Sequence, residues 1–361
     1  MTIDIDKVRR DFPYLDEVLY LNTASTGISW RGQGAAAARF YDGMQSRGFD
    51  GRDDWRALAG RVQLQLSKLL SVEPDDIGFV GSTTEALNLV TQAMPVKSGD
   101  QIVFAADEFP SLRQAMDALQ ARGATLCPVD IRDEEQRTDI LCNAVPGARV
   151  VGVSHVHWHS GTKVDLGRIS EACRREGADL IVDGIQALGA TPVDASSCQL
   201  YAASVFKWLL SGFGLGMVVI SRDFRRKLTP LSRGYANPVP SNDIRYGHIN
   251  YPGLAAFGAT LDFLEGIGWS AIMERTAMLR DRLIAGLNYA GVAIATPPNA
   301  AAGIVSARAR DAETLVVRLQ ERKVRVEARG NLVRISPHFY NTESEIDRFC
   351  EIFAELGAKS S

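Results

Sequence analysis

Short apolar runs rich in β-branched residues recur along the chain, most of them followed by an amphipathic stretch. IGFVG (77–81) precedes TTEALNLVTQAM, and QIVFA (101–105) precedes SLRQAMDALQARG, after which comes ATLCPVD. RVVGVSHV (149–156) and DLIVD (179–183) flank LGRISEACRREGA, and LGMVVI (215–220) adds a further run. Runs of this kind belong to strands buried on both faces, and helical stretches between them imply crossover connections. The pattern predicts an α/β fold with a largely parallel sheet and helices on both of its faces.

The pattern changes near residue 230. TPLSRGYANPVPSND reads as an extended loop, and two long helical stretches follow it, NYPGLAAFGATLDFLEGIG and SAIMERTAMLRDRLIAGLN. Short strands are expected over 302–306 and 332–336, with a last helix over 342–356. This divides the chain into a large domain over 16–244 and a smaller α+β domain over 245–361, with residues 1–15 packed against the smaller one. With 40 Lys plus Arg against 43 Asp plus Glu, the formal charge of −3 gives no broad basic surface for nucleic acid. The start, MTIDIDKVRRDFP, lacks the apolar core of a signal peptide, and Trp208 to Ser221 is too short to span a bilayer. The expectation is a cytoplasmic protein without membrane or nucleic-acid partners. Five Cys at 127, 142, 173, 198 and 350 form no CxxC pair, which fits a reducing compartment and gives no zinc pattern.

Ligands of a parallel sheet collect at the carboxyl ends of its strands. Three turns at such ends carry polar residues: GSTTE (81–85), DGIQ (183–186) and SVFK (204–207). Gly81, Ser82, Thr83 and Thr84 before a helix make an anion cradle, or an ordinary cap with Glu85 taking part. Asp183 ends an apolar run and needs a partner or a cationic ligand, unless it caps the segment after it. Lys207 lies among Val205, Phe206, Trp208, Leu209 and Leu210, as a snorkelling lysine or as an amine of lowered pKa fit for nucleophilic attack. Together, cradle, buried acid and desolvated amine are what pyridoxal 5'-phosphate requires.

From YLNTASTG (20–27) to VRISPHFYNTESEIDRF (333–349), and most of all in VDGIQALGATPVD (182–194), SVFK and GFGLG (212–216), the chain resembles a known family. It is similar to the fold-type I pyridoxal-phosphate enzymes of the class V aminotransferase group, which includes cysteine desulfurases and isopenicillin-epimerase-like proteins. The resemblance implies a mostly parallel seven-stranded sheet and a homodimer. It matches Lys207 to the Schiff-base lysine, Asp183 to the partner of the pyridine nitrogen and Gln186 to the ligand of the phenolic oxygen. Thr84, the amide of Thr83, and Ser204 match the phosphate site. Phe109 in DEFPS takes the ring-stacking place, Arg334 the α-carboxylate clamp, and Asn22 and Trp158 approach the substrate. His248 in RYGHIN stands about where relatives carry a Thr that reaches the neighbouring subunit's phosphate.

Desulfurases carry a catalytic Cys on a loop shortly before the clamp arginine, but ERKVRVEARGNLVR (321–334) has none, and Phe206 replaces the usual His before the lysine. The histidines of HVHWHSG, His155, His157 and His159, alternate and would share one face of a continuing strand, yet no carboxylate or Cys partner for a metal is evident. The implied reaction is that of an aminotransferase acting on an amino acid through an external aldimine, with Cα deprotonation by Lys207. A β-lyase cleaving C–S or C–Se bonds, or an amino-acid epimerase, is the alternative.

Overall fold

A computed structural model describes residues 3–358; residues 1–2 and 359–361, the outer ends of the expected 1–15 and 245–361 segments, lie outside the described residues. Twelve strands are found among the described residues: β1 (Leu19–Tyr20), β2 (Ile77–Val80), β3 (Gln101–Ala105), β4 (Thr125–Val129), β5 (Ala148–Ser154), β6 (Asp179–Asp183), β7 (Leu200–Ser204), β8 (Gly216–Ile220), β9 (Val305–Arg308), β10 (Val324–Arg325), β11 (Glu327–Arg329) and β12 (Leu332–Ile335). Seven of them form one sheet in the order β2-β8-β7-β6-β5-β3-β4. The pairs from β7 across to β4 are parallel, and β8 runs antiparallel to both β2 and β7. The α/β fold with a mostly parallel seven-stranded sheet is therefore as expected.

Strand periodicity explains why the runs look uniformly apolar. Val151, Val153, Leu180, Val182 and Tyr201 pack into one cluster, while their neighbours Val150, Ile181, Leu200 and Ala202 pack into another on the opposite face. Helices Thr83–Ala93 and Pro110–Asp117 cover the second face through Leu87, Val90, Leu112 and Met116. Helix Leu166–Glu176 covers the first through Ile169 and Cys173, joined by Val62, Leu66 and Leu70 of helix Arg52–Leu70. The helices Arg31–Arg47 and Arg52–Leu70 were not anticipated from the sequence pattern.

The smaller unit is built on the antiparallel sheet β11-β12-β9. Helices Trp269–Tyr289, Ala312–Glu321 and Glu343–Ala358 pack on it, with Leu283, Leu319, Val333, Ile335 and Phe349 in one cluster. Helix Tyr251–Ile267 departs from the expected 244/245 division, because its Leu254, Phe257 and Leu261 belong to the core of the large sheet. Near the N-terminus, Val8, Phe12 and Leu15 share a cluster with Leu264, Ile272, Phe339 and Tyr340. The short parallel pair β1–β10, followed by the bridge from Asn22 to Ser336, carries residues 19–25 across to the β11–β12 hairpin. No helix of the described residues is long and apolar enough to cross a membrane.

Candidate active site at the strand ends

Asp183 closes β6, and Lys207 follows β7, its neighbour in the sheet. The Asp183 carboxylate is 3% exposed and accepts one hydrogen bond among the described residues, from the Ile185 N–H at 3.0 Å. Burial pushes its pKa up to about 6, against the opposing pull of that N–H and of Lys207. Burial, then the charge of Arg334, pushes the Lys207 amine down to about 8, with Asp183 acting the other way and Arg329 adding to the fall. The Lys207 Nζ stands 5.7 Å from the ring centre of Phe206 and 5.9 Å from that of Phe109.

Residues 26–27 hold the lysine's backbone in place. The Gly27 N–H donates to the Phe206 carbonyl at 2.8 Å, and the Thr26 hydroxyl reaches the same oxygen at 3.3 Å. A Cβ on Gly27 would stand 2.2 Å from the Lys207 carbonyl oxygen and 2.6 Å from Leu210 Cδ2. Gly27→Ala is therefore expected to destabilise the protein by about 1–3 kcal/mol through overpacking. Thermal unfolding of the cofactor-free protein checks this, and an unchanged melting temperature would remove the clamp from the argument.

At the start of helix Thr83–Ala93, the capping reading is realised: Ser82 Oγ accepts from the Glu85 N–H at 3.1 Å, and Glu85 Oε2 accepts from the Gly81 N–H. The Thr83 amide and the Ser204 hydroxyl, both expected at the phosphate, are bonded to each other here. The Thr83 N–H donates to Ser204 Oγ at 2.8 Å, and the Ser204 N–H donates to Thr83 Oγ1 at 2.7 Å. Both hydroxyls are buried and must find partners, so they satisfy each other and latch β7 to the helix. The exposed hydroxyl left at this end is that of Thr84, 2.7 Å from Ser111 Oγ at the start of the next helix. The sequence reading did not single out Ser111, which stands beside Thr84 here.

Around the lysine, Gln186 is tied down at both ends of its amide. Nε2 donates to the Ala24 carbonyl at 3.0 Å, and Oε1 accepts from the Trp208 indole at 3.0 Å. Phe109 stands edge-on to Trp158 at 5.6 Å, and the Trp158 indole N–H donates to the Asp107 carbonyl at 3.0 Å. The Arg334 guanidinium is 3% exposed and, among the described residues, pairs with no carboxylate. Its Nη1 donates to the Trp158 carbonyl at 2.9 Å and its Nη2 to Ser25 Oγ at 2.7 Å, while its Nε is buried without a partner. Burial and then the nearby Arg329 push its pKa down to about 10. Asn22 donates through Nδ2 to Glu327 Oε2 at 3.4 Å, and its Oδ1 is buried without a partner. His248 is exposed, with its ring 4.9 Å from that of Tyr235.

The strand does not continue through the three alternating histidines, because β5 ends at Ser154 and the chain turns before Gly161, whose φ is +78°; the rings of His157 and His159 lie 6.4 Å apart. His155 Nδ1 lies 3.3 Å from the Tyr201 hydroxyl, and His159 Nε2 lies 3.1 Å from the Arg329 carbonyl. His157, expected to lack acidic partners, has Asp107 Oδ2 at 3.5 Å and Glu134 Oε1 at 3.8 Å, so that expectation is corrected. Ligand atoms of these three residues fall within 4.8 Å of one another. Arg137, 1% exposed, already bonds both carboxylates, so the cluster contains its own cation.

Glu108 was also missed by the sequence reading. It is buried beside Phe109, accepts from the Ser154 N–H at 2.9 Å, and is pushed up to about 7 by its burial. A carboxyl inside an aromatic-bearing turn was the only signal. Cys350, the last Cys of the chain, is buried in helix Glu343–Ala358, and burial pushes its thiol up to about 11.

The model of the family described as Aminotransferase class-V matches residues 54–349. The uncharacterized aminotransferase YcbU of Bacillus subtilis is 24% identical over 98% of this chain and 98% of its own length. The isopenicillin N epimerase of Amycolatopsis lactamdurans is 28% identical over 81% of this chain and 83% of its own. Among solved structures, a cysteine desulfurase from Thermococcus onnurineus superposes with a TM-score of 0.90 at 21% identity, covering 99% of both chains.

Proposed function

Since the chain belongs to the class V aminotransferase family, we propose that it is a pyridoxal-phosphate enzyme that takes the Cα proton from an amino acid and expels a β-substituent. The residues at the strand ends fit that cofactor by their chemistry. Asp183 is a buried carboxylate with a single backbone partner, as a ring N–H requires. Thr84 and Ser111 present hydroxyls at two helix starts for a phosphate, Phe109 offers a ring face, and Gln186 keeps its second Nε2 hydrogen. Bound there, the cofactor supplies an electron sink for negative charge developing at Cα.

The observation that carries the proposal is the Lys207 amine, lowered to about 8 and close to an arginine without a carboxylate. Arg334 takes the substrate carboxylate, which fixes the Cα–H bond relative to Nζ. Nζ accepts the Cα proton, the electron pair left behind becomes a Cα–Cβ double bond, and the β-substituent leaves with the pair of its broken bond to Cβ. Trp158 and Phe109 shield the centre from water. A thiolate leaves without an acid, since a thiol has a pKa of about 8.5, so one base suffices. With Phe109 in the stacking place, no second proton carrier stands over the ring there.

Support for a second reading, epimerisation, comes from the isopenicillin N epimerase similarity, the highest identity of the two relatives described above. Transamination, the first expectation from the sequence, shares the same proton abstraction, and the relative described as an aminotransferase is itself uncharacterized. We further propose that Cys350 is no catalytic nucleophile, since its thiol is buried in the small unit, and that a second copy of the chain brings His248 to the phosphate.

The test is a panel of amino acids given to the cofactor-loaded protein without any 2-oxo acid acceptor. Elimination is expected to release ammonia, a 2-oxo acid and the departing group over many turnovers. Turnover that stops after one equivalent until an acceptor is added would make it a transaminase. Inversion at Cα without ammonia would make it an epimerase.

A further inference from the structure

The β11–β12 hairpin places three charged side chains on one face. Glu327 is registered opposite Arg334, and Arg329 lies two residues further along the same strand. The hairpin turns tightly at Gly330, whose φ is +56°.

Glu327 is the one carboxylate on this face, and its oxygens are shared. Oε1 pairs with Arg329 Nη2 at 3.1 Å, and Oε2 accepts from Ser25 Oγ at 2.9 Å and from Asn22 Nδ2 at 3.4 Å. Ser25 Oγ in turn accepts from Arg334. One guanidinium therefore pairs with this carboxylate directly, and the other reaches it only through Ser25. Arg329 Nε, like Arg334 Nε, is buried and has no partner. Arg329 is joined to Arg334 through Glu327 and Ser25, so its charge lies on the same face as the clamp arginine.

With Arg334 committed to the α-carboxylate, a second, partly exposed cation remains, paired only with Glu327 among the described residues. We infer that the substrate is an amino acid whose side chain ends in a second acidic group, and that Arg329 reads that group. On binding, Arg329 turns from Glu327 to the incoming anion. Glu327 keeps the hydroxyl of Ser25 and the amide of Asn22, so its charge stays hydrogen-bonded through the exchange. A neutral side chain gives Arg329 no reason to leave Glu327, so the ion pair also acts as a filter.

This inference rests on the proposed α-carboxylate role of Arg334, and the test separates the two. Unreactive succinate and propanoate are titrated into the cofactor-loaded protein by calorimetry at fixed ionic strength. Wild type is expected to bind succinate about tenfold more tightly than propanoate, the range of a charge-assisted pair. Arg329→Gln should remove that preference while leaving propanoate binding within about twofold. Glu327→Gln, which removes the competing carboxylate, should tighten succinate further. Opposite shifts from two variants on one hairpin are not what misfolding produces. Equal affinity of wild type for the two acids, or equal weakening of both by Arg329→Gln, overturns the inference and leaves Arg334 untouched. Binding of both acids unaltered in Arg334→Gln overturns the carboxylate clamp, and this inference with it.

Discussion

Lys207→Ala is expected to abolish covalent attachment of pyridoxal phosphate and to lower turnover by about 10⁴-fold or more, since one amine serves as both nucleophile and base. The reason lies in the surroundings of Nζ. At a pKa of about 8, about a tenth of it is neutral at pH 7, against about one part in 2,500 for an ordinary lysine near 10.4. Burial between Phe109 and Phe206, with Arg334 nearby, creates that reactivity, and Asp183 limits it. No neighbouring lysine can substitute, because the clamp by Thr26 and Gly27 fixes this one backbone position. The measurement is borohydride reduction followed by peptide mass analysis. Wild type should carry the cofactor mass on the peptide containing Lys207, and the variant on none. A variant with full turnover and a reducible adduct elsewhere would end the proposal.

The core of this site was legible because it obeys local rules. Lys207 and Asp183 are charges at the ends of apolar strand runs, a conflict that tertiary packing resolves only with a partner or a ligand. The sheet was legible for a related reason: β5 and β6 bury both faces, so their runs carry no polar alternation. Helix Arg31–Arg47 was not legible, because it is rich in Gly and Ala and only Gln33 and Ala36 are buried in it. A helix with so thin an apolar stripe leaves little periodicity to read. Helix Tyr251–Ile267 is apolar on nearly every side, and such a helix does not announce which unit it covers. The relay from Arg334 through Ser25 to Glu327 joins residues some three hundred positions apart, so it has no local signature. The Thr83–Ser204 latch was hidden for another reason. The motif correctly located both hydroxyls at the strand ends, but not that they would face each other.

Asp183→Asn should move stability and activity in opposite directions, and the sign follows from linkage. The folded-state pKa of about 6 lies above the unfolded value of about 3.9, so the folded protein holds this proton where the unfolded chain has lost it. The contribution to stability is thus greatest at low pH. It falls as pH rises from about 4 to about 6 and stays at its lower value above that. A shift of about two pH units corresponds to about 3 kcal/mol at pH 7. Asparagine carries no such penalty and still offers Oδ1 to the Ile185 N–H. The cofactor-free variant should therefore be more stable than wild type at pH 7 by up to about 3 kcal/mol, and the advantage should vanish near pH 4. With cofactor bound, a neutral amide cannot balance a positive ring nitrogen, and turnover should fall by about 10²–10³-fold. Denaturant unfolding of the cofactor-free proteins at both pH values, beside turnover of the loaded ones, reads both effects. A variant less stable than wild type at pH 7 would mean that the Asp183 carboxylate has a partner holding its charge already. It would then not be the group kept for the ring nitrogen.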